Sequence, residues 1–128
     1  MPTLTQTRGK DALDKVHKLE NSRDQKFNNG YTGIVVAFPA MILMNGLGQA
    51  LATLLSSAKT DSCERMVYTD LESWLCGSSK AAPFPKEPSL IDALMACERA
   101  TYIRAQVEAL EWLTWMKKFS VAYLRQDG

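Results

Sequence analysis

Apolar positions recur along nearly the whole chain at spacings of three and four, the interval that gathers side chains on one face of an α-helix. Near the start, Leu13, Val16 and Leu19 share such a face with His17 beside it, while Lys10, Asp14, Lys15 and Lys18 fall elsewhere around the helix. Asn28-Asn29-Gly30 is a turn signal and predicts the end of this first helix. The β-branched run Ile34-Val35-Val36-Ala37-Phe38 has strand propensity, but no second alternating run exists to pair with it. A lone strand leaves its backbone groups unpaired, so the stretch is read as helix. Pro39 suits the first turn of a new helix, whose apolar positions are Met41, Met44, Leu47, Leu51, Leu54 and Leu55.

Farther on, Asp61 and Glu64 have the spacing of a capping box ahead of Val67, Leu71, Trp74 and Leu75, with Gly77 as the C-cap. Residues 77–88 hold three prolines without periodicity and read as a loop. Ser89 and Asp92 cap the next helix, which turns Leu90, Ile91, Leu94 and Met95 inward. Between Arg99 and Arg125 there is no breaker, which predicts one long final helix. Its inward set is Ala105, Ala109, Leu113, Met116 and Tyr123. Leu110, Trp112, Trp115 and Phe119 widen the apolar surface beyond one seam, so this helix is expected to be contacted on two sides. The pattern predicts an all-α bundle of five or six helices. Residues 1–128 form one domain in this reading, with 1–4 and 126–128 as flexible tails.

Composition narrows the class. The 128 residues are 46% hydrophobic and 23% charged, as in an ordinary globular protein. Fifteen basic against fourteen acidic residues give a net charge of +1, which excludes a histone-like polycation and an acidic tail protein. The charge is segregated, with residues 1–58 at +2, 59–98 at −3 and 99–128 at +2. A modest basic face forms if the two ends pack together. Tyr31 to Ala58 carries no charged residue and is long enough to span a bilayer. Asn45, Gln49, Pro39 and the absence of a flanking Lys/Arg cluster or aromatic belt favour a buried helix pair instead. Three cysteines (Cys63, Cys76, Cys97) without a Cys-x-x-Cys pair, and a single histidine, argue against a zinc site or a disulfide scaffold. Free thiols and a start without an apolar leader point to the cytoplasm.

Catalysis finds no candidate. Any Ser-His-Asp or Cys-His arrangement must use His17, which reads as a surface or half-buried structural residue. Glu98, Glu108 and Glu111 are the carboxylates most open to acid–base work, yet Glu108 and Glu111 equally suit helix partners such as Arg104. The four inward carboxylates of a di-metal bundle cannot be assembled. Gly46-Leu47-Gly48 lacks the third glycine and the preceding strand of a dinucleotide fingerprint; its small residues instead allow close helix approach. The cations are better placed: Arg8, Lys15 and Lys18 on the first helix, with Arg104, Lys117 and Lys118 on the last. At such spacings they can straddle successive phosphates. Trp112 and Trp115 read as core or interface aromatics rather than base-stacking platforms.

Four ordered stretches carry a resemblance. They are the run Phe38-Pro39-Ala40-Met41-Ile42-Leu43-Met44-Asn45-Gly46-Leu47-Gly48-Gln49-Ala50-Leu51-Ala52; Thr7-Arg8-Gly9-Lys10-Asp11-Ala12; Tyr102-x-Arg104 with Glu108; and Trp115-Met116-Lys117-Lys118-Phe119. Together they resemble the small helical subunit of the type III-B CRISPR effector, the Cmr complex. Leu43 or Met44 stands where that family often has Arg, and Thr53 replaces its usual Phe, a change expected to repack the core. The resemblance implies a non-catalytic scaffold without cofactor, stacked head to tail in copies beside larger backbone subunits. Its partners would be those subunits, its own copies, and guide and target RNA, with no membrane. RNA contact would fall to Arg8, Lys15 and Lys18, with Arg104, Lys117 and Lys118 behind them. The alternative from another class is a helical protein–protein adaptor without RNA contact.

Overall fold

A computed structural model describes residues 1–126. Among them are six α-helices and no strand: α1 Leu4–Ser22, α2 Gln25–Asn45, α3 Leu47–Ser57, α4 Cys63–Leu75, α5 Leu90–Ala96 and α6 Arg99–Tyr123. The all-α expectation holds. Of the expected tails, residues 1–3 precede α1 and residues 127–128 lie outside the described residues.

The first helix begins in a reciprocal cap: Thr3 Oγ1 accepts from Gln6 N at 3.1 Å and Gln6 Oε1 accepts from Thr3 N at 2.7 Å. It ends earlier than Asn28-Asn29-Gly30 predicts. Arg23 turns extended, and Asp24 starts α2 by accepting from Phe27 N at 2.9 Å. The turn-forming residues serve packing inside α2. Buried Asn28 donates Nδ2 to Leu19 O at 3.2 Å, closing the last turn of α1, and a Cβ on Gly30 would fall 2.9 Å from Cys63 Sγ. Ile34–Phe38 is helical, as the missing partner strand required.

Pro39 does not open a helix; α2 runs through it, and only its missing N–H interrupts the backbone ladder. The break comes at Gly46, where φ is +85°, a conformation a Cβ disfavours. The free donors of α3 are then satisfied from α6. Leu47 N donates to Gln106 Oε1 at 2.9 Å and Gly48 N to the Tyr102 hydroxyl at 2.8 Å. Close approach explains Gly48: a Cβ there would meet Met95 Cε at 3.0 Å.

Two other boundaries move by one residue. Ser62, not Asp61, caps α4, accepting from Arg65 N at 3.2 Å. Asp61 instead takes a left-handed conformation and presents its carboxylate to Arg23. Cys76 is the C-cap of α4, and Gly77 follows because a Cβ there would collide with the Ser73 carbonyl. The loop at 77–88 is strapped to the end of α4 by Phe84 N to Leu75 O and Lys86 N to Cys76 O, each 3.1 Å, with Phe84 buried. Ser89 caps α5 as expected, accepting from Asp92 N, and Leu90 and Leu94 point inward. Met95 does not; it lies exposed over Gly48, and Tyr123 is likewise exposed near the end of α6.

The long α6 is the axis of the fold. Its buried face is Ala105, Ala109, Trp112, Leu113 and Met116. Helix α1 runs parallel to it, as Arg8–Glu108, Asp11–Trp112 and His17–Tyr123 show by their constant order. Helix α2 runs antiparallel on another side, with Gln25 at Leu124 and Leu47 at Gln106. The last helix is thus contacted on two sides. By length and composition α2 is apolar enough to cross a membrane, and a third of its most apolar window is buried against its neighbours. Thr53 is exposed, so its replacement of Phe does not repack the core. It lines an apolar groove of ≈ 340 Å³ with Gly33, Ala37 and Phe38.

Gly77→Ala is expected to lower stability by about 1–3 kcal/mol, because the obstacle is backbone rather than a movable side chain. Urea denaturation checks this; a stability within 0.5 kcal/mol of wild type, to be taken as about the noise of a surface substitution, would mean the turn relaxes freely.

Candidate nucleic-acid interface

Helix α1 has two flanks beside its buried face of Gly9, Ala12, Val16 and Leu19. Helical spacing sends Arg8, Asp11, Lys15, Lys18 and Ser22 to the flank facing α4, and Leu13, His17 and Glu20 to the flank along the outer edge of α6. The first flank and α4 enclose a groove of ≈ 570 Å³. Lys15, Lys18 and Arg23 line it from one side, and Met66, Thr69, Asp70 and Ser73 from the other.

The six cations expected at RNA are not equivalent. Arg8 is nearly buried, and its fork is committed: Nε donates to Glu108 Oε2 at 2.7 Å and a terminal nitrogen to Oε1 at 2.8 Å. The same Oε2 accepts from Trp74 Nε1 at 3.0 Å. Glu108 therefore pairs with Arg8 across helices rather than with Arg104 along its own. The Glu108 bond holds the Arg8 guanidinium above its ordinary pKa, against a smaller loss from burial. Lys15 is partly covered, bonded to Asp11 and 5.3 Å over the Trp112 ring, while Asp11 also accepts from Trp112 Nε1 at 2.8 Å. Lys18 is exposed at the groove, with no ion pair among the described residues. Arg104 donates to Pro83 O at 3.3 Å, anchoring the loop at 77–88. Lys117 and Lys118 are exposed on α6, 80° and 180° around the helix from Ala109 at about 100° per residue, away from the α1 flank.

The structure thus brings Lys15 and Lys18 together and separates Lys117 and Lys118 from them. It adds Arg23, which the sequence reading did not single out and which the structure places at the break between α1 and α2. Arg23 faces the groove, paired to Asp61 at 2.5 and 3.1 Å and 4.4 Å over the Phe27 ring. At the floor, Asp70 accepts from the Tyr31 hydroxyl at 2.7 Å. Burial raises this carboxyl above the ordinary range, and the Tyr31 bond and the Lys15 and Lys18 charges only partly offset that.

Other chemistry is quiet. His17 is half-exposed and engaged with Glu20 at 3.1 Å and the Tyr123 ring. Burial pushes the Cys76 thiol up to about 11 and raises that of Cys63, so both stay protonated at neutral pH. Among the described residues no three His, Cys, Asp or Glu gather as metal ligands. Trp112 is fully buried, a core residue as read; Trp115 is partly buried, stacked on Phe119 at 5.5 Å and packed on Gly9.

Fold and groove define a small all-helical protein whose polar side chains hold helices together and line one lysine-bearing channel. Residues 4–123 match the family described as CRISPR-associated protein (Cas_Cmr5), and the chain belongs to that family, a subunit of the type III-B Cmr complex. The fold is similar to that of a CRISPR-associated Cmr5 family protein from Thermus thermophilus. The TM-score is 0.77 at 23% sequence identity, over 98% of this chain and 100% of that one.

Two outcomes follow from the buried polar groups. Glu108→Gln should cost about 3–5 kcal/mol, because it strands the Arg8 charge. Arg8→Met with Glu108→Leu should recover part of this, leaving the orphaned Trp74 N–H at about 1–3 kcal/mol; urea unfolding of the double-mutant cycle measures both. For Asp70 the folded pKa is raised, so folding takes up a proton as pH falls from the folded toward the unfolded value. Wild type should therefore gain stability relative to Asp70→Asn as pH falls through that window, by urea unfolding at neutral pH and near pH 4. A difference that does not change with pH would contradict the assignment.

Proposed function

We propose that this subunit is a non-catalytic, cytoplasmic scaffold of a CRISPR RNA-guided, RNA-targeting antiviral effector. It stacks in copies beside larger backbone subunits and holds the target strand by its phosphates. The groove between α1 and α4 supports this most directly. Lys18 stands open at its edge, Lys15 lies one turn before it, and Arg23 follows past the helix end. Cations one helical turn apart are separated by about 5–6 Å, near the spacing of successive phosphates on a single strand. Such contacts read no sequence, as a subunit serving any guide requires.

In this reading Arg8 acts indirectly, setting the position of α1 through Glu108, and Arg104 holds the loop at 77–88. Lys15 and Arg23 meet phosphate by exchanging their Asp11 and Asp61 partners, so Lys18 carries first contact. The net charge of +1 fits a subunit that supplies a few phosphate contacts within a larger assembly.

Lys15→Glu with Lys18→Glu, in the complex reconstituted with its other subunits and guide RNA, should weaken target RNA capture. The slope of log affinity against log salt should shrink by about 1 per lost contact. Lys18→Glu alone serves as a control that leaves the Asp11–Trp112 bond intact. Unchanged capture in a fully assembled complex would favour an adaptor without RNA contact.

A further inference from the structure

The groove between α1 and α4 carries one charge of the wrong sign for an anion. Lys15, Lys18 and Arg23 line it, and Asp70 is the one acid among its lining residues. Asp70 is partly buried, so its carboxyl stays open enough to the groove to exchange a proton with solvent. Its Oδ2 accepts from the Tyr31 hydroxyl at 2.7 Å, its one side-chain hydrogen bond among the described residues. No ion pair joins it to either lysine; Lys15 is bonded to Asp11 instead. Asp70 therefore faces the same cations that an incoming phosphate would engage, without being neutralised by any of them.

The ionisable groups that face it come from two other helices. Helix α1 presents Asp11, Lys15 and Lys18, and α2 presents Tyr31. On α4 itself its neighbours in the groove are the hydroxyls of Thr69 and Ser73. One turn along α4, Trp74 holds Glu108 of α6, whose charge is met by Arg8, and Arg23 is held by Asp61. Burial favours the neutral acid most strongly; the Tyr31 bond and the charges of Lys15 and Lys18 favour the carboxylate, and Asp11 works against it. A phosphate on Lys15 and Lys18 cancels two of these three supports. Drawing Lys15 off Asp11 also uncovers a second acid beside Asp70. Both changes drive Asp70 toward its neutral form, and linkage makes the effect reciprocal: a proton on Asp70 must tighten the hold on phosphate.

We propose that Asp70 is a proton-linked gate on the α1–α4 groove: the ionised carboxylate resists a phosphate strand, and capture of the strand is accompanied by uptake of a proton at Asp70. This rests on the reading of the groove as the phosphate-holding site and names how that site is regulated. The proton comes from solvent onto the carboxyl, while the Tyr31 hydroxyl goes on donating to the other oxygen. Phosphodiesters lack the second ionisation of a phosphate monoester, so the backbone of the strand brings no titrating group of its own near neutrality. Affinity should rise as pH falls from the strand-bound value of Asp70 toward its free value, which already lies above the ordinary carboxylate range, and level off below that.

The pH profile of capture tests the gate, in the complex reconstituted with its other subunits and guide RNA and titrated with labelled target RNA at fixed salt, from about pH 8 to pH 5. Asp70→Asn keeps an acceptor for Tyr31 but removes the titration, and comparing it with wild type cancels every titration the two complexes share. Asp70→Asn should bind at least about threefold more tightly at the alkaline end, and wild type should close that gap as pH falls. Tyr31→Phe withdraws one support of the carboxylate, so its rise in affinity should begin at higher pH than in wild type. Parallel profiles for wild type and Asp70→Asn, with capture still weakened by Lys15→Glu/Lys18→Glu, would overturn the gate and leave the phosphate groove standing. Capture indifferent to Lys15→Glu/Lys18→Glu would overturn both readings. Should Asp70→Asn fail to assemble, Tyr31→Phe decides, and a profile superimposed on that of wild type would overturn the gate.

Discussion

One carboxylate organises this fold. Glu108 sits in the middle of the longest helix, nearly buried, and accepts two bonds from Arg8 and one from Trp74. Its three donors come from α1 and α4, so a single side chain fixes three helices in relative rotation and height. An ionised carboxylate in such a place is tolerated only with a full complement of donors, which restricts the arrangement to one register. Asp11 repeats the device between α1 and α6 through the Trp112 indole, and Asp70 repeats it between α4 and α2 through the Tyr31 hydroxyl. Each pairs a carboxylate with a large amphipathic aromatic that is buried or nearly so. The packing is thereby made specific where apolar contacts alone would permit sliding.

The same groups decide which cations remain for an external ligand. A lysine or arginine drawn into a staple is a poor phosphate hook, because any incoming anion must replace a partner already at ideal distance. Arg8 is fully committed, Lys15 partly so, and Lys18 not at all. A gradient of availability thus runs down one flank of α1, from the buried middle of the bundle to its open end. In the proposed reading, ligand contact falls to the end that folding does not need.

Much of the fold was legible because helical periodicity reports burial directly. The long final helix, the inward face of α4, the Pro-rich loop and the Ser89 cap all appear where spacing and capping residues place them. The boundaries that moved were those decided by tertiary contact. Asn28 and Gly30 look like a turn in isolation, but one satisfies the end of α1 and the other admits Cys63. Pro39 looks like a start, yet neighbours on several sides hold α2 together through it. The site was legible only as a list of basic residues. Which of them are committed depends on partners as far as 100 positions away, and local sequence carries no trace of such pairs. The glutamate at 108 was visible as an acid on the final helix; its partner was not.

The parallel alignment of the first and last helices has a consequence for synthesis. The side of α1 that carries Gly9, Ala12 and Val16 packs chiefly on α6, which is synthesised about 80 residues after α1. At about 5–20 residues per second, the charge-poor α2 and α3 spend several seconds in solution before α6 arrives to cover them. The chain is therefore most vulnerable to misassociation while nascent. A stop codon that removed even part of α6 would not shorten the bundle but leave its first helix without a wall to fold against.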